Sequence, residues 1–397
     1  MARSRDAGKC YPSKNPSAAR MCCKDGARPL CSRKRAELPG HRSALLDARH
    51  RLSHPTQVCF QTQKPSPVSE YRTAWPDAGR SRRQLHEISS HSIGRPIAGQ
   101  QPMLPRQVLP RQFYLITRRC TRRQFLLRPD AVTNNAFLYC LINAALRTEV
   151  DVLLPCAMSN HYHAVIYDRA GRYPEFIEHF HKLLARSQNA LRGSWENFWS
   201  AEQTCVVKLV GREAVLDKLV YTATNPVLGD LVERVHHWPG VNGLTALLAG
   251  RVIRAARPLH FFRPDGPMPD ELEMPLSIPP ELGPKHSVVA ELRDRVRAVE
   301  RESATERLRA GRHVLGRRAV LAQSWRGQPA SVEPRRNLRP RVATRSKWAR
   351  IEALLRNRAF SLEYATARER WQCGAPTTFP IGTYWLQRFA SVPVSEA

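Results

Sequence analysis

Acidic residues are scarce in this chain. Asp and Glu total 34 against 63 Lys and Arg in 397 residues, a formal net charge of +29 with a pI near 10.6. That imbalance, carried by arginine along the whole length, excludes the usual surface of a metabolic enzyme and points to a polyanionic partner, most simply nucleic acid. A GC-rich genome that inflates arginine everywhere is the competing explanation. No run of about 18 consecutive apolar residues occurs, so no membrane span is expected. The first thirty residues carry Arg3, Arg5, Lys9 and Lys14 but no apolar core of a secretory signal, so none is expected. The ten cysteines include no CxxC pair. This excludes a zinc ribbon, and they are too sparse for a secreted disulfide scaffold, which leaves reduced thiols in a cytosolic protein.

What is present is unevenly distributed. Residues 1–102 are rich in Arg, Ser, Pro, Cys and Gln, show neither a two-residue nor a 3.6-residue apolar period, and hold 19 Lys and Arg against 7 Asp and Glu. They read as a disordered basic arm, or as an extension upstream of a start at Met103. From 112 onward the pattern becomes regular. QFYLITR alternates as a strand, 130–148 has helical spacing, and VDVLLPCAM and HYHAVIYD are two strands joined at Ser159-Asn160. A helix over 174–192, a strand over 204–210 and a helix over 212–224 follow. The order β-α-β-β-α-β predicts an α+β fold, the ferredoxin-like split βαβ core with an antiparallel sheet and helices on one face. Residues 251–285 read as a proline-rich linker and 286–397 as a charged helical extension, with a helix from about 286 to 311 whose Glu-Arg pairs look solvated. The aromatics of FPIGTYWLQRF either pack a small cluster or stack on bases.

Two histidines interrupt an otherwise buried-looking strand in SNHYHAVIYD. Side chains two apart on a strand share a face, so His161 and His163 project together, roughly 7 Å apart at Cα, close enough for both imidazoles to reach one metal ion. By itself HxH is weak: metallohydrolases and cupins use it, and a surface strand carries it by chance. A closed zinc site would need Cys or a third His, and the HxHxDH pattern fails because Ala164, Val165 and Ile166 follow. About 60 residues on, KLVYTATNPVLGDLV supplies more. Leu216, Leu219, Val220 and Ala223 form its apolar stripe, while Asp217, Tyr221 and Asn225 recur at four-residue steps on another face. Pro226 disfavours α geometry at Asn225, so the helix is expected to end there.

MSNHYHAVI resembles the HUH motif of single-tyrosine HUH transposases. YTATNPV resembles the tyrosine helix of their REP-associated branch, with its Tyr-x-x-x-Asn-Pro pattern, and WPGV at 238–241 resembles the segment after it. The likeness covers roughly residues 105–245 and makes 103–250 the expected catalytic domain. It implies Tyr221 as nucleophile and His161, His163 and Asn225 as ligands of Mg²⁺ or Mn²⁺, an open and partly hard site. It also implies single-strand DNA cleavage and transfer through a covalent 5′-phosphotyrosine on single-stranded or hairpin DNA. A cytoplasmic location, nucleoid-associated through the DNA, goes with that reading, and monomer and homodimer are both compatible with it. Arg118, Arg119, Arg122 and Arg123 are the nearest candidates for phosphate contact, with a solvated loop as the bland reading. Tyr162, between the histidines, points to the opposite face and reads as core. A domesticated, non-cleaving DNA-binding relative and an unrelated HxH metallohydrolase are the rival functions.

Overall fold

The computed structural model describes residues 105–331 and 340–396. The basic arm expected over 1–102 lies outside the described residues. The described residues belong to one compact unit. It opens with strand β1 (Gln112–Arg119), helix α1 (Ala131–Thr148), strands β2 (Val150–Ala157) and β3 (His161–Asp168), helix α2 (Tyr173–Arg192), strand β4 (Cys205–Leu209) and helix α3 (Arg212–Leu228). A short helix α4 (Leu244–Ala249) and a hairpin of β5 (Val252–Ala256) and β6 (Glu271–Pro275) follow. The chain then runs through α5 (Lys285–Arg309), α6 (Arg317–Ala322), β7 (Val342–Ala343), α7 (Lys347–Gln372) and α8 (Trp385–Ala390).

The main sheet has the order β2-β3-β1-β4-β7, antiparallel except for the parallel β4–β7 edge. With α1 and α2 as crossovers, this is the split βαβ arrangement of an α+β fold. Local chemistry sets its elements. The Asp130 side chain accepts from the Thr133 amide at 2.8 Å to start α1. Asp168, at the end of β3, accepts from the amides of Arg172 and Tyr173 at 2.8 and 2.9 Å and so starts α2. The face of β3 that carries Tyr162 packs against α1 and α2 through Phe137 and Phe180. The opposite face carries the two histidines and looks at α3.

Three expectations change. Helix α3 passes Asn225 and continues through Pro226 to Leu228. The proline forgoes one backbone hydrogen bond, but Pro226 and Val227 are buried and the Gly229 amide still reaches the Asn225 carbonyl at 3.0 Å. The four-residue step from Tyr221 to Asn225 is therefore a true helical turn. Residues 251–285, expected to be a linker, contain the β5–β6 hairpin, whose Ile253, Leu272 and Met274 join the main core. The alternation of buried and exposed positions in ELEMP is a strand signal that the flanking prolines obscured. The charged helix α5 buries Val288, Leu292 and Val296, spaced four apart, in the same core. Its Arg295 and Glu291 join Arg212, Glu213 and Asp217 of α3 in an ion network, while Arg293, Asp294, Arg297, Arg301 and Glu302 are exposed as expected. The end of α7 folds onto a second, small cluster of Phe360, Tyr364, Phe379 and Val392, so Phe379 of the C-terminal aromatic stretch packs, while Trp385 and Phe389 stay exposed. Among the described residues no helix is long and apolar enough to cross a membrane.

Candidate active site

Strand pairing assembles the first layer of the site. In the β1–β3 register Thr117 lies opposite His163 and Arg119 opposite His161, and in β2–β3 Cys156 lies opposite His163. Paired residues share a face, so all five project towards α3. The His163 Nδ1 sits 2.8 Å from the Thr117 hydroxyl. Its Nε2 lies 3.3 Å from the Asn225 side-chain nitrogen. An amide N–H donates to a bare ring nitrogen, so the proton of a neutral His163 rests on Nδ1, where Thr117 accepts it. The His161 Nδ1 is similarly engaged by the Asn160 side-chain oxygen at 2.6 Å. Both rings thus have Nδ1 held within the protein. The two rings meet edge-on with centroids 4.9 Å apart.

Helix α3 brings the second layer. Tyr221 sits with its ring 5.3 Å from that of His163, edge to face, and keeps 38% of its surface exposed. His163 itself is buried. Burial holds the His163 pKa well below the usual imidazole value, and the positive neighbours His161, Arg119 and Lys218 push it the same way. The ring is therefore neutral at neutral pH, the state in which it can donate a lone pair to a cation. The Lys218 ammonium lies over the Tyr221 ring, 5.3 Å from its centroid. Asp217, the third residue of the four-residue row, turns away and pairs with Arg295 and Arg345.

The separation between helix and strand is fixed by the WPGVN turn. The Trp238 indole N–H donates to the Ala157 carbonyl at 3.0 Å, and the Ala157 amide donates to the Val241 carbonyl at 2.9 Å. Asn242 donates from its side chain to the Ala223 carbonyl of α3 at 2.9 Å and also contacts the Cys156 sulfur. A Cβ on Gly240 would meet the Trp238 ring at 2.5 Å, so this close approach requires glycine. One turn therefore ties β2 to the stretch of α3 between Tyr221 and Asn225.

Two imidazole nitrogens and an amide whose oxygen turns inward by a flip of Asn225 form a donor set that fits a divalent cation with open positions. Among the described residues no group of three or more His, Cys, Asp and Glu side chains could hold a metal ion. The structure brings His161, His163, Tyr221 and Asn225 together. It divides the four arginines. Arg119 is exposed on the histidine face. Arg118 lies on the other face, where its guanidinium donates to the carbonyls of Ser200 and Glu202 and to the Thr204 hydroxyl, anchoring a loop. Arg122 is exposed, while Arg123 donates to Ser331, and both adopt left-handed backbone conformations with φ of 48° and 58°. The expectation for Arg118 is thus replaced by an anchoring role, because both of its terminal guanidinium nitrogens already donate within the protein. Sequence reasoning missed Thr117, Asn160, Lys218 and Asn242. The three-residue step before Tyr221 was the signal available for Lys218, whereas Thr117 reaches the site through a strand register that long-range pairing sets.

No family model matches the chain, and no curated protein matches it. Solved structures that overlap part of it include a REP-associated tyrosine transposase bound to a REP hairpin, with a TM-score of 0.31, 16% identity, and coverage of 38% of this chain and 86% of that one. A transposase-like protein from Deinococcus radiodurans overlaps with a TM-score of 0.23, 13% identity, and coverage of 29% and 89%. The tRNA(His) guanylyltransferase of Saccharomyces cerevisiae overlaps with a TM-score of 0.26, 12% identity, and coverage of 32% and 65%. All three fall below the similarity at which a shared chain trace carries function.

Proposed function

We propose that residues 103–250 form a divalent-metal-dependent nuclease and strand transferase that cuts single-stranded or hairpin DNA through Tyr221. The observation that carries this reading is the placement of Tyr221 and Asn225, one helical turn apart on α3, over the His161–His163 pair of β3. The HUH-like and Tyr-x-x-x-Asn-Pro motifs and the basic surface support it. His161, His163 and Asn225 would hold Mg²⁺ or Mn²⁺, which when bound supplies charge to polarise a phosphodiester.

Tyr221 Oη attacks phosphorus in line with the 3′ oxygen of the preceding nucleotide. A P–O(Tyr) bond forms, the P–O3′ bond breaks, and the phenolic proton balances the alkoxide released as a 3′-hydroxyl. The product is a 5′-phosphotyrosine, and attack by a 3′-hydroxyl on that linkage rejoins strands without an external energy source. Lys218 lies over the phenol ring, and Thr117 and Asn160 keep the imidazoles oriented. Arg119, on the histidine face, and the exposed Arg122 would serve as phosphate contacts.

The test is incubation of the purified protein with labelled hairpin DNA from the flanks of its own gene and Mn²⁺, read on a denaturing gel. Wild type forms a covalent adduct and Tyr221→Phe does not. DNA binding without any adduct in wild type would assign the chain to the non-cleaving class, and an adduct in Tyr221→Phe would remove Tyr221 as nucleophile.

A further inference from the structure

Two hollows open between α7 and the β4 edge of the main sheet, and both have Lys208, Gln107 and Asn357 in their walls. The smaller has room for a water, about 30 Å³, and the larger about 270 Å³. Lys208 pairs with Tyr114 across β1–β4, and Tyr114 with Ile166 across β1–β3. Lys208 therefore sits on the face opposite the histidines and nearer the other end of β1 from Thr117.

Cations line the two hollows from separate stretches of chain: Arg106 ahead of β1 and Arg341 ahead of β7 in the smaller, Arg356 of α7 in the larger, and Lys208 of β4 between them in both. The one carboxylate in the same walls, Glu352, is paired with Arg356. Arg106 donates to the Val206 carbonyl, so its charge is not neutralised. Lys208 is half-buried, and among the described residues no carboxylate pairs with it. Burial and the nearby Arg356 both push its pKa down. A partly desolvated ammonium among guanidinium groups is electrostatically unfavourable in the empty protein, and an anion placed between them reverses the sign of that energy. The larger hollow is wide enough for a tetrahedral anion with its attached sugar, and Asn357 adds a neutral donor.

We propose that this cleft is a phosphate-binding site that takes a phosphodiester of a DNA strand lying along the sheet edge away from Tyr221. The site does not depend on the chemistry at Tyr221, and it gives the C-terminal extension, through Arg341 and Arg356, a direct part in holding the strand.

The test uses the full chain in phosphate-free buffer, with melting followed as inorganic phosphate or a short single-stranded oligonucleotide is added. Wild type is expected to gain several degrees with phosphate, and Lys208→Met to gain none while melting at least as high as wild type without it, since an uncompensated charge has gone. Oligonucleotide affinity is expected to fall about tenfold in Lys208→Met and in the surface variant Arg341→Gln. A phosphate response equal in Lys208→Met and wild type would overturn the site. Loss of the phosphate response with oligonucleotide affinity unchanged in both variants would assign the cleft to free phosphate and overturn the DNA source. Adduct formation at Tyr221 is read in parallel, so failure of that reaction is scored separately from failure of the cleft.

Discussion

Strand β3 carries a histidine–tyrosine contact on each of its faces, and the two have opposite characters. Towards α1 and α2, Tyr162 is fully buried and its hydroxyl lies 2.5 Å from the His181 Nε2, in a cage of Phe137, Phe180 and Trp199. Towards α3, His163 is buried but its partner Tyr221 is 38% exposed, and around them stand a second histidine, an amide and a lysine. The same pair of residue types makes a structural hydrogen bond where it is enclosed by apolar rings. Where one member reaches solvent among convergent polar groups, it has the makings of a reactive site. One residue of strand register separates the two outcomes.

The largest expected effect separates the tyrosines. Tyr221→Phe is expected to abolish covalent adduct on DNA with melting unchanged, whereas Tyr162→Phe keeps the adduct. If both variants retained it, the two faces would not differ in chemistry. Next, His163→Ala is expected to remove Mn²⁺ binding measured by calorimetry, while His181→Phe leaves it intact. Thr117→Val should weaken Mn²⁺ affinity about 10- to 100-fold by freeing the His163 ring, and Thr117→Ser should restore it. An unchanged affinity in the valine variant would show that the ring needs no such support.

On the enclosed face the effects are on stability. Tyr162→Phe leaves His181 without its partner and is expected to cost about 1–3 kcal/mol in denaturant unfolding. The smallest effect is a pH slope. Burial, with Arg118 adding to it, lowers the His181 pKa from 6.5 to about 3. The unfolded chain therefore binds a proton that the folded chain refuses. Stability from this group is full above about pH 6.5 and is lost as pH falls towards about 3. His181→Phe should flatten the unfolding profile across that window. His163 contributes in the same direction.

Much of this was legible in the sequence, for identifiable reasons. The strands and helices from Gln112 to Leu228 follow apolar periods that tertiary packing reinforces, and two-residue spacing alone placed the histidines on one face and Tyr162 on the other. Partners across the sheet were not legible, because register is set by long-range pairing. Thr117 and Arg119 became neighbours of the histidines only through β1–β3. Arg118 and Arg119 looked alike in sequence, yet strand alternation sends one to anchor a loop and leaves the other beside the site. The hairpin inside the proline-rich stretch was masked because proline and acidic residues surround short strands that are buried on one side alone.

The central claim is that Tyr221, facing His161 and His163, forms a bond to DNA. The most direct measurement is mass spectrometry of the trapped adduct after exhaustive nuclease and protease digestion. The account predicts a nucleotide attached through its 5′ phosphate to the peptide containing Tyr221, formed only when a divalent ion is supplied. A nucleotide on any other residue, or none on wild-type protein that binds the same DNA, would contradict it.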